Sequence, residues 1–403
     1  MRPTINQMME NIGCQTWPER WKDIYEDVMA DFECCGCPMT DPDYIDMLAE
    51  KYQLLADQKE LYKEAARSVA EQESLARLLA LLCAALEDRE HRDEDLEHFA
   101  PVYDTGECPN LGLNMLTALA LFSQMPECYQ TLSALDLPEE EIIHTMRIPE
   151  GTVALFQQTH NGVPGFHRLH WYQRIINGHL FRIGRLEIEL YTGFRGRAQI
   201  FKSKSGEIVS LGHERRVHVS GIAFGSAKAE SLEGAWEANV EETDSHWIGY
   251  PYNEKGLVES QKVCLAKTDW EKILSRNDPV VALHIPADGR LDPAAVTRSI
   301  EDIRVFMKTY FPEYTYAAFT CNSWLINPEV VSLLGADSNI SKFSMRFHPL
   351  THKAPGISVF SFVFHKSAPV VLEELPANTR LEQALKAYYL SGNVLHEMYG
   401  YFL

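Results

Sequence analysis

The chain has 403 residues, 45% of them hydrophobic and 23% charged, with a net charge of −20. That length allows two or three domains, each with its own core, and no run approaches the 18 or so apolar residues that span a bilayer. All of the charge imbalance lies in residues 1–150, where 31 Asp and Glu stand against 11 Lys and Arg; residues 151–403 carry 26 of each. An acidic half of this kind repels nucleic acid and anionic lipid, so neither is expected as a partner, and the charge step predicts a domain boundary near residue 150. The N-terminus, MRPTINQMMENIG, lacks the apolar segment of a secretory signal. Nine cysteines without such a signal are expected as reduced thiols in a cytoplasmic protein.

The first 150 residues read as helices. Pro18 followed by Glu19 to Ala30 fits a helix start, and Asp41-Pro42 fits an N-cap with proline at the first helical position. From there Tyr44, Met47, Leu48, Tyr52 and Leu55 keep the spacing of one helical face. Glu71 to Leu86 and Leu111 to Phe122 are apolar enough to be central helices, with Leu78 to Leu86 the most apolar run. Pro138 with Glu139, Glu140 and Glu141 opens another, acidic at the end where the macrodipole favours negative charge.

Beyond residue 165 the texture changes. Phe166 to Ile176 predicts one more helix, ended at Asn177-Gly178. Leu180 to Tyr191 alternates as a single strand, and Ala198 to Lys202 predicts a second after Thr192-Gly193. Residues 205–260 support only short strands. Val263 to Ala266 and Val280 to Ile285 read as strands, the latter apolar enough for a buried central position. Asp292-Pro293 caps a helix with Val296, Ile300, Ile303, Met307 and Tyr310 on one face. Tyr316 to Trp324 and Ser358 to Phe364 predict strands, and Leu381 to Tyr389 a late helix. The expected fold class is α+β, a helical domain over residues 1–150 followed by a mixed-sheet α/β domain over 151–403.

Val280 to Ile285 passes through Pro286-Ala287-Asp288-Gly289-Arg290-Leu291 into the helix capped by Asp292. A buried strand that feeds a helix N-terminus through a short glycine-containing loop can hold a phosphate on its N–H groups, with Arg290 adding charge. A plain strand-to-helix connection is the alternative. Asp288 and Asp292 would compete with an anion there.

Asn161-Gly162-Val163-Pro164-Gly165 through Trp171, then Asn177-Gly178-His179-Leu180-Phe181-Arg182-Ile183-Gly184-Arg185-Leu186-Glu187, resembles the junction segment of bacterial GNAT-like N-acyltransferases. His284-Ile285-Pro286 with Gly289, Leu291, Asp292 and Pro293 resembles the same family, as do Cys321-Asn322-Ser323-Trp324-Leu325-Ile326-Asn327-Pro328, Ser338-Asn339-Ile340 and Phe343 with Arg346-Phe347. The resemblance covers residues 140–350. It implies a helical N-terminal domain, a GNAT-like C-terminal domain, and transfer of an acetyl or longer acyl group from an acyl-CoA to a small-molecule amine. It places the CoA pyrophosphate on the backbone of Ile285, Pro286, Gly289, Arg290 and Leu291. The usual Gln/Arg-x-x-Gly-x-Gly/Ala pattern is reduced here to Gly289, which leaves a catalytically inactive CoA-binding or regulatory protein as the second reading.

Acyl transfer to an amine needs a base, an oxyanion stabiliser and an acid for the leaving thiolate. His284 at the strand end is a candidate base, or a structural hydrogen-bonding residue. A backbone N–H beside it would polarise the thioester if a bulge splayed the strand. Glu187 and Glu189 share a strand face and either can act as base through water; a solvated edge paired with arginines is the alternative. Cys321 is a candidate nucleophile with His284 as its base, which would make a hydrolase, or else a buried strand cysteine. Ser323, Trp324 and Arg346 are candidate substrate contacts, as is His365 at the end of a strand. Cys34-Cys35-Gly36-Cys37 has a Cys-x-x-Cys spacing, but a zinc site would need two of Cys14, Cys108 and Cys128, so no metal is expected. Residues 182–216 hold eight basic residues against four acidic ones, a solvated strand face or a dock for the CoA 3′-phosphate.

Overall fold

The computed structural model describes residues 2–224, 233–367 and 369–403. Part of the weakly patterned stretch expected to hold only short strands, residues 225–232, lies outside the described residues. Two compact units divide the chain, Met1–Arg182 and Ile183–Leu403.

The first unit is helical: α1 (Ile5–Ile12), α2 (Trp21–Cys35), α3 (Pro42–Lys51), α4 (Lys59–Ala70), α5 (Glu73–Glu87), α6 (Arg92–Glu97), α7 (Leu111–Ser123), α8 (Met125–Ser133), α9 (Glu139–Met146), α10 (Glu150–Thr159) and α11 (Leu169–Ile176). Local chemistry sets several of the ends. Thr4 and Gln7 form a reciprocal capping box on α1, and the Asp41 carboxylate accepts from the Asp43 amide ahead of Pro42. Helix α7 is apolar on every side, with its residues from Met115 to Phe122 all buried, so it can lie only at the centre of the bundle. It crosses α4 closely at Gly112, where an added Cβ would lie 2.9 Å from the Val69 amide. One expectation fails in α3: Ile45, Leu48 and Ala49 form its buried face, while Met47 is 45% exposed. The helix ends at Lys51, and Leu55 follows in a loop at φ +58°, so the helical spacing did not extend that far.

The division between the units falls within β1 (Leu180–Ile183), and β2 (Leu186–Gly193) follows. The single strand expected over this stretch is a hairpin. Gly184, at φ +56°, turns the chain, and the Arg185 amide donates to Ser299 Oγ at 2.7 Å. Strands β3 (Ala198–Ser203), β4 (Ile208–Gly212), β5 (Arg215–Val217), β6 (Trp236–Ala238), β7 (Glu241–Glu242), β8 (His246–Gly249), β9 (Val263–Ala266) and β10 (Trp270–Leu274) form three small sheets, ordered β10-β3-β4, β5-β6 and β7-β8-β9.

The main sheet has the order β1-β2-β11-β12-β14-β13, built with β11 (Pro279–His284), β12 (Ala318–Ser323), β13 (His348–Pro355) and β14 (His396–Phe402). Strands β11 and β12 are parallel and joined through α12 (Pro293–Tyr310), a strand–helix–strand unit. The remaining helices are α13 (Pro328–Leu334), α14 (Asn339–Ser344), α15 (Ser358–Phe364) and α16 (Arg380–Leu390). The strand expected over Ser358–Phe364 is therefore a helix. Its β-branched and aromatic residues favour extended chain in isolation, but as α15 they bury Val359 and Phe364 in a cluster with Leu385 and Tyr389 of α16. Tertiary burial overrides propensity there.

Residues directly opposite in a ladder share a face. The pairs Ala282–Glu189, His284–Glu187, Ala282–Thr320, Thr320–Tyr401 and Asn322–Tyr399 therefore put Glu187, Glu189, His284, Thr320, Asn322, Tyr399 and Tyr401 on one side of the main sheet. Glu397, two residues before Tyr399, joins them. The other side carries Val281, Phe319 and Phe402; the Phe319 ring stacks on Phe402 at 5.0 Å and lies under the Arg304 guanidinium of α12. One face is thus apolar beneath α12. The opposite face becomes polar toward the ends of β11 and β12.

Candidate active site

The polar face gathers around the C-terminal end of β11. His284 Nε2 lies 3.1 Å from Glu189 Oε2, with the carboxylate side chain 12% exposed and the imidazole 29%. Glu187, directly across from His284, is also buried. Neither glutamate lies on a solvated edge, because β2 runs between β1 and β11; that alternative for them is corrected. The imidazole–carboxylate contact fixes the ring's orientation, the positioning a general base needs.

The parallel ladder between β11 and β12 stops at Ala282 and Thr320, although β11 continues to His284 and β12 to Ser323. Beyond that point β11 follows β2, through His284–Glu187, while β12 follows β14, through Ser323–Met398. The strands part at the level of His284. A bulge lies close by, in β2 rather than β11. Between the pairs Val280–Thr192 and Ala282–Glu189, β2 uses one more residue than β11, and Tyr191 there sits at φ +56°.

Arg185 shapes the loop after β11. Its guanidinium donates to the carbonyls of Pro286 at 2.9 Å, Gly289 at 2.7 Å and Arg290 at 2.9 Å. Three loop carbonyls are drawn to one side, and the amides of Arg290 and Leu291 meet no protein acceptor among the described residues. Gly289 at φ +139° has open space where a side chain would stand. Ile285 and Pro286 are half-buried and Leu291 is buried. Asp292 accepts from the Ala295 amide at 2.9 Å and so occupies part of the α12 N-terminus. Asp288 lies 3.7 Å from Arg185, which offsets its charge. These features fit an anion held on backbone amides above the helix start.

The other predicted residues separate. Arg346 donates to Thr297 Oγ1 at 2.6 Å, which brings its charge to the early turns of α12. Ser323 accepts from the Leu325 amide at 3.1 Å, and Trp324 packs in the apolar cluster beside Val359 and Phe364. His365 is not at a strand end; it is exposed at φ +52° as the C-cap of α15. Cys321 is buried in β12, and desolvation with the nearby Glu397 charge pushes its thiol up to about 12. At neutral pH it stays protonated, which is poor preparation for a nucleophile.

Glu397 was not foreseen. It accepts from Ser358 Oγ at 2.7 Å, and burial raises its pKa above the ordinary value. A carboxyl whose protonated form is favoured by burial, on the sheet face of His284, has the character of a general acid. The alternation Glu397, Tyr399, Tyr401 was the sequence signal that could have revealed it.

Residues 180–402, more than half of the chain, match the family described as GNAT-like C-terminal domain. The protein belongs to that family. Its GNAT-like domain contains the whole of the polar face, the parting strands and the Arg185-bound loop. The fold is also that of solved acyltransferase structures. One, an acyltransferase in complex with decanoyl-CoA and teicoplanin, is 18% identical, covers 98% of both chains and has a TM-score of 0.63. Another, an acyltransferase mutant in complex with octanoyl-CoA, is 18% identical over 99% of both chains with a TM-score of 0.64. No curated protein sequence matches the chain. No helix among the described residues is long and apolar enough to cross a membrane.

Proposed function

We propose that this protein is an acyl-CoA-dependent N-acyltransferase acting on the amine of a small-molecule acceptor. The observation that carries the reading is the parting of β11 and β12 beyond Ala282 and Thr320, directly beside His284 and the 286–291 loop. A thioester arm entering that gap can pair with the free edge of β11, whose amides then polarise its carbonyl. Ile285, Pro286, Gly289, Arg290 and Leu291 hold the pyrophosphate, with the amides of Arg290 and Leu291 as donors and Arg346 nearby as charge. Ser323, at the end of β12, stands on the far side of the gap, with Trp324 packed in the apolar cluster behind it. His284, held by Glu189, takes the amine proton directly or through a water that Glu187 also holds. The amine nitrogen attacks the thioester carbon, the carbon–sulfur bond breaks, and Glu397 supplies the proton to the departing thiolate, giving an amide and free CoA. The acyl-CoA ligands of the structurally similar acyltransferases support the co-substrate class.

Thermal melting with acetyl-, octanoyl- and decanoyl-CoA tests the reading. A ligand at about 100 times its Kd adds roughly 2.7 kcal/mol of stability. Absence of a shift with every acyl-CoA overturns the proposal. A shift without thiol release across a panel of amines replaces it with a non-catalytic CoA-binding protein.

A further inference from the structure

Arg215, in the basic stretch 182–216, is not part of a solvated strand face. It opens β5 and is 6% exposed, on the same inward side as Val217, with the exposed Arg216 between them. Its Nη2 donates to the Thr351 carbonyl at 3.2 Å, while its Nε is buried and meets no acceptor. No carboxylate pairs with it among the described residues. A guanidinium has five N–H donors and a permanent charge, and one neutral carbonyl does not compensate them. Buried charges are normally paired.

A second idle donor stands at the same place. Thr351, on β13, meets two segments with its backbone: its carbonyl takes the Arg215 bond, and its amide donates to the Gly256 carbonyl at 2.9 Å. Gly256 belongs to the turn between Tyr252 and Val258, which bridge each other. Tyr252 packs against the apolar cluster of Val217 and Val258, and against that of Leu350 and Tyr401. Its hydroxyl is buried and has no hydrogen-bond partner among the described residues. Tyr401 lies on the His284 side of the main sheet, which puts Tyr252 on that side.

Strand pairing fixes the level. Thr351 pairs with Met398, and Met398 with Ser323, the last residue of β12. Thr351 is therefore level with the parting of β11 and β12, three strands across from β11 in the order β11-β12-β14-β13. At about 4.8 Å between strands, that is roughly 15 Å from β11. We propose that Arg215 and Tyr252 hold a carboxylate of the acceptor, whose amine reaches the gap roughly 15 Å away; the inference rests on the acyl-transfer reading of that gap. A carboxylate offers acceptors to both idle donors, the Nε–H and the phenol. One guanidinium matches one negative charge, whereas a phosphate dianion would leave a buried charge uncompensated. At about 3.4 Å per residue, the span is that of an extended peptide of about four or five residues.

The test has two arms. In the first, melting of the full-length protein is followed in sodium formate against sodium chloride at equal ionic strength. Formate should raise the melting temperature of wild type. The rise should be lost in Arg215→Met, which keeps the length without the charge, and reduced in Tyr252→Phe. In the second, thiol release from acyl-CoA is measured with pentaalanine and with its C-terminal amide. The free carboxylate should lower KM by about 10- to 100-fold in wild type, the worth of hydrogen bonds to a charged group, and by little in Arg215→Met. A formate shift in either variant equal to that of wild type would overturn the proposal, and Tyr252→Phe decides this if Arg215→Met does not fold. Equal KM values for the two peptides in wild type would overturn it as well. The formate arm involves no acyl-CoA, so its failure is distinct from failure of the acyl-transfer reading, which shows as the absence of any acyl-CoA melting shift.

Discussion

Replacing Arg185 by alanine should weaken acyl-CoA binding without abolishing folding. The guanidinium makes three hydrogen bonds to the carbonyls of Pro286, Gly289 and Arg290, and its side chain is only 9% exposed. Hydrogen bonds to a charged donor contribute about 1.5 to 3 kcal/mol each, but three bonds from one group are not additive and water replaces part of them. A loss of roughly 3 kcal/mol of loop order is a reasonable total. If binding must restore that order, Kd rises by about 100-fold, since 1.4 kcal/mol corresponds to a factor of ten. Arg185→Lys keeps the charge without the planar fork and should fall between the two. Arg276→Ala, which removes an exposed pair with Glu214, should change little and controls for loss of charge. Calorimetric titration with CoA gives the measurement. A Kd for Arg185→Ala within twofold of wild type would show that the clip does not organise the loop for its ligand.

His284→Gln should lower thiol release by about 100-fold or more while leaving the Kd for acyl-CoA unchanged, measured by steady-state kinetics beside titration. Glu397→Gln should flatten the pH dependence of melting. The unfolded chain releases this proton near its ordinary value of 4.5, whereas the folded state holds it to higher pH. Wild-type stability is therefore lost as pH climbs from about 4.5 through the raised folded value, and the glutamine variant lacks that loss. Cys321→Ala should cost about 1 kcal/mol of stability in denaturant melts yet retain thiol release within a few-fold; complete loss would revive the nucleophile. Deleting Tyr191 removes the extra residue of the β2 bulge: Leu190 alone then opposes Val281, Glu189 and Glu187 keep their partners Ala282 and His284, and the added twist that helps part β11 from β12 is lost. Activity should fall in the deletion and persist in Tyr191→Gly, which accepts the left-handed backbone.

Some of this was legible because the local signals agreed with the tertiary role. Val280 to His284 reads as a buried strand from its apolar run, and Asp292-Pro293 marks the start of α12 through a cap that is present in the structure. The shared face of Glu187 and Glu189 followed from their spacing of two. Arg185 stayed hidden because a single glycine at 184 does not announce a turn within an alternating stretch, and the carbonyls it binds lie a hundred residues away. The C-terminal strand was missed for a packing reason. Gly400 stands within it, where a Cβ would come within 2.6 Å of Ile326 Cδ1, so tertiary contact puts a residue untypical of strands inside β14. Without that strand, nothing assigned Glu397 to the face of His284.

The opening at His284 has a cause in the pairing itself. Each of the two parallel strands is held on its outer side for longer than on its inner side: β11 by β2 as far as His284–Glu187, and β12 by β14 as far as Ser323–Met398. Antiparallel ladders are the slightly more stable kind per residue, so each strand end follows its antiparallel neighbour once the sheet's twist separates them. The bulge at Tyr191 increases that twist on the β2 side, just before the stretch carrying Glu189 and Glu187. One extra residue in β2 therefore helps turn β11 away from β12. A weak phosphate-loop signature does not bear on that effect, which is why the site is better recognised by its strand pairing than by its loop sequence.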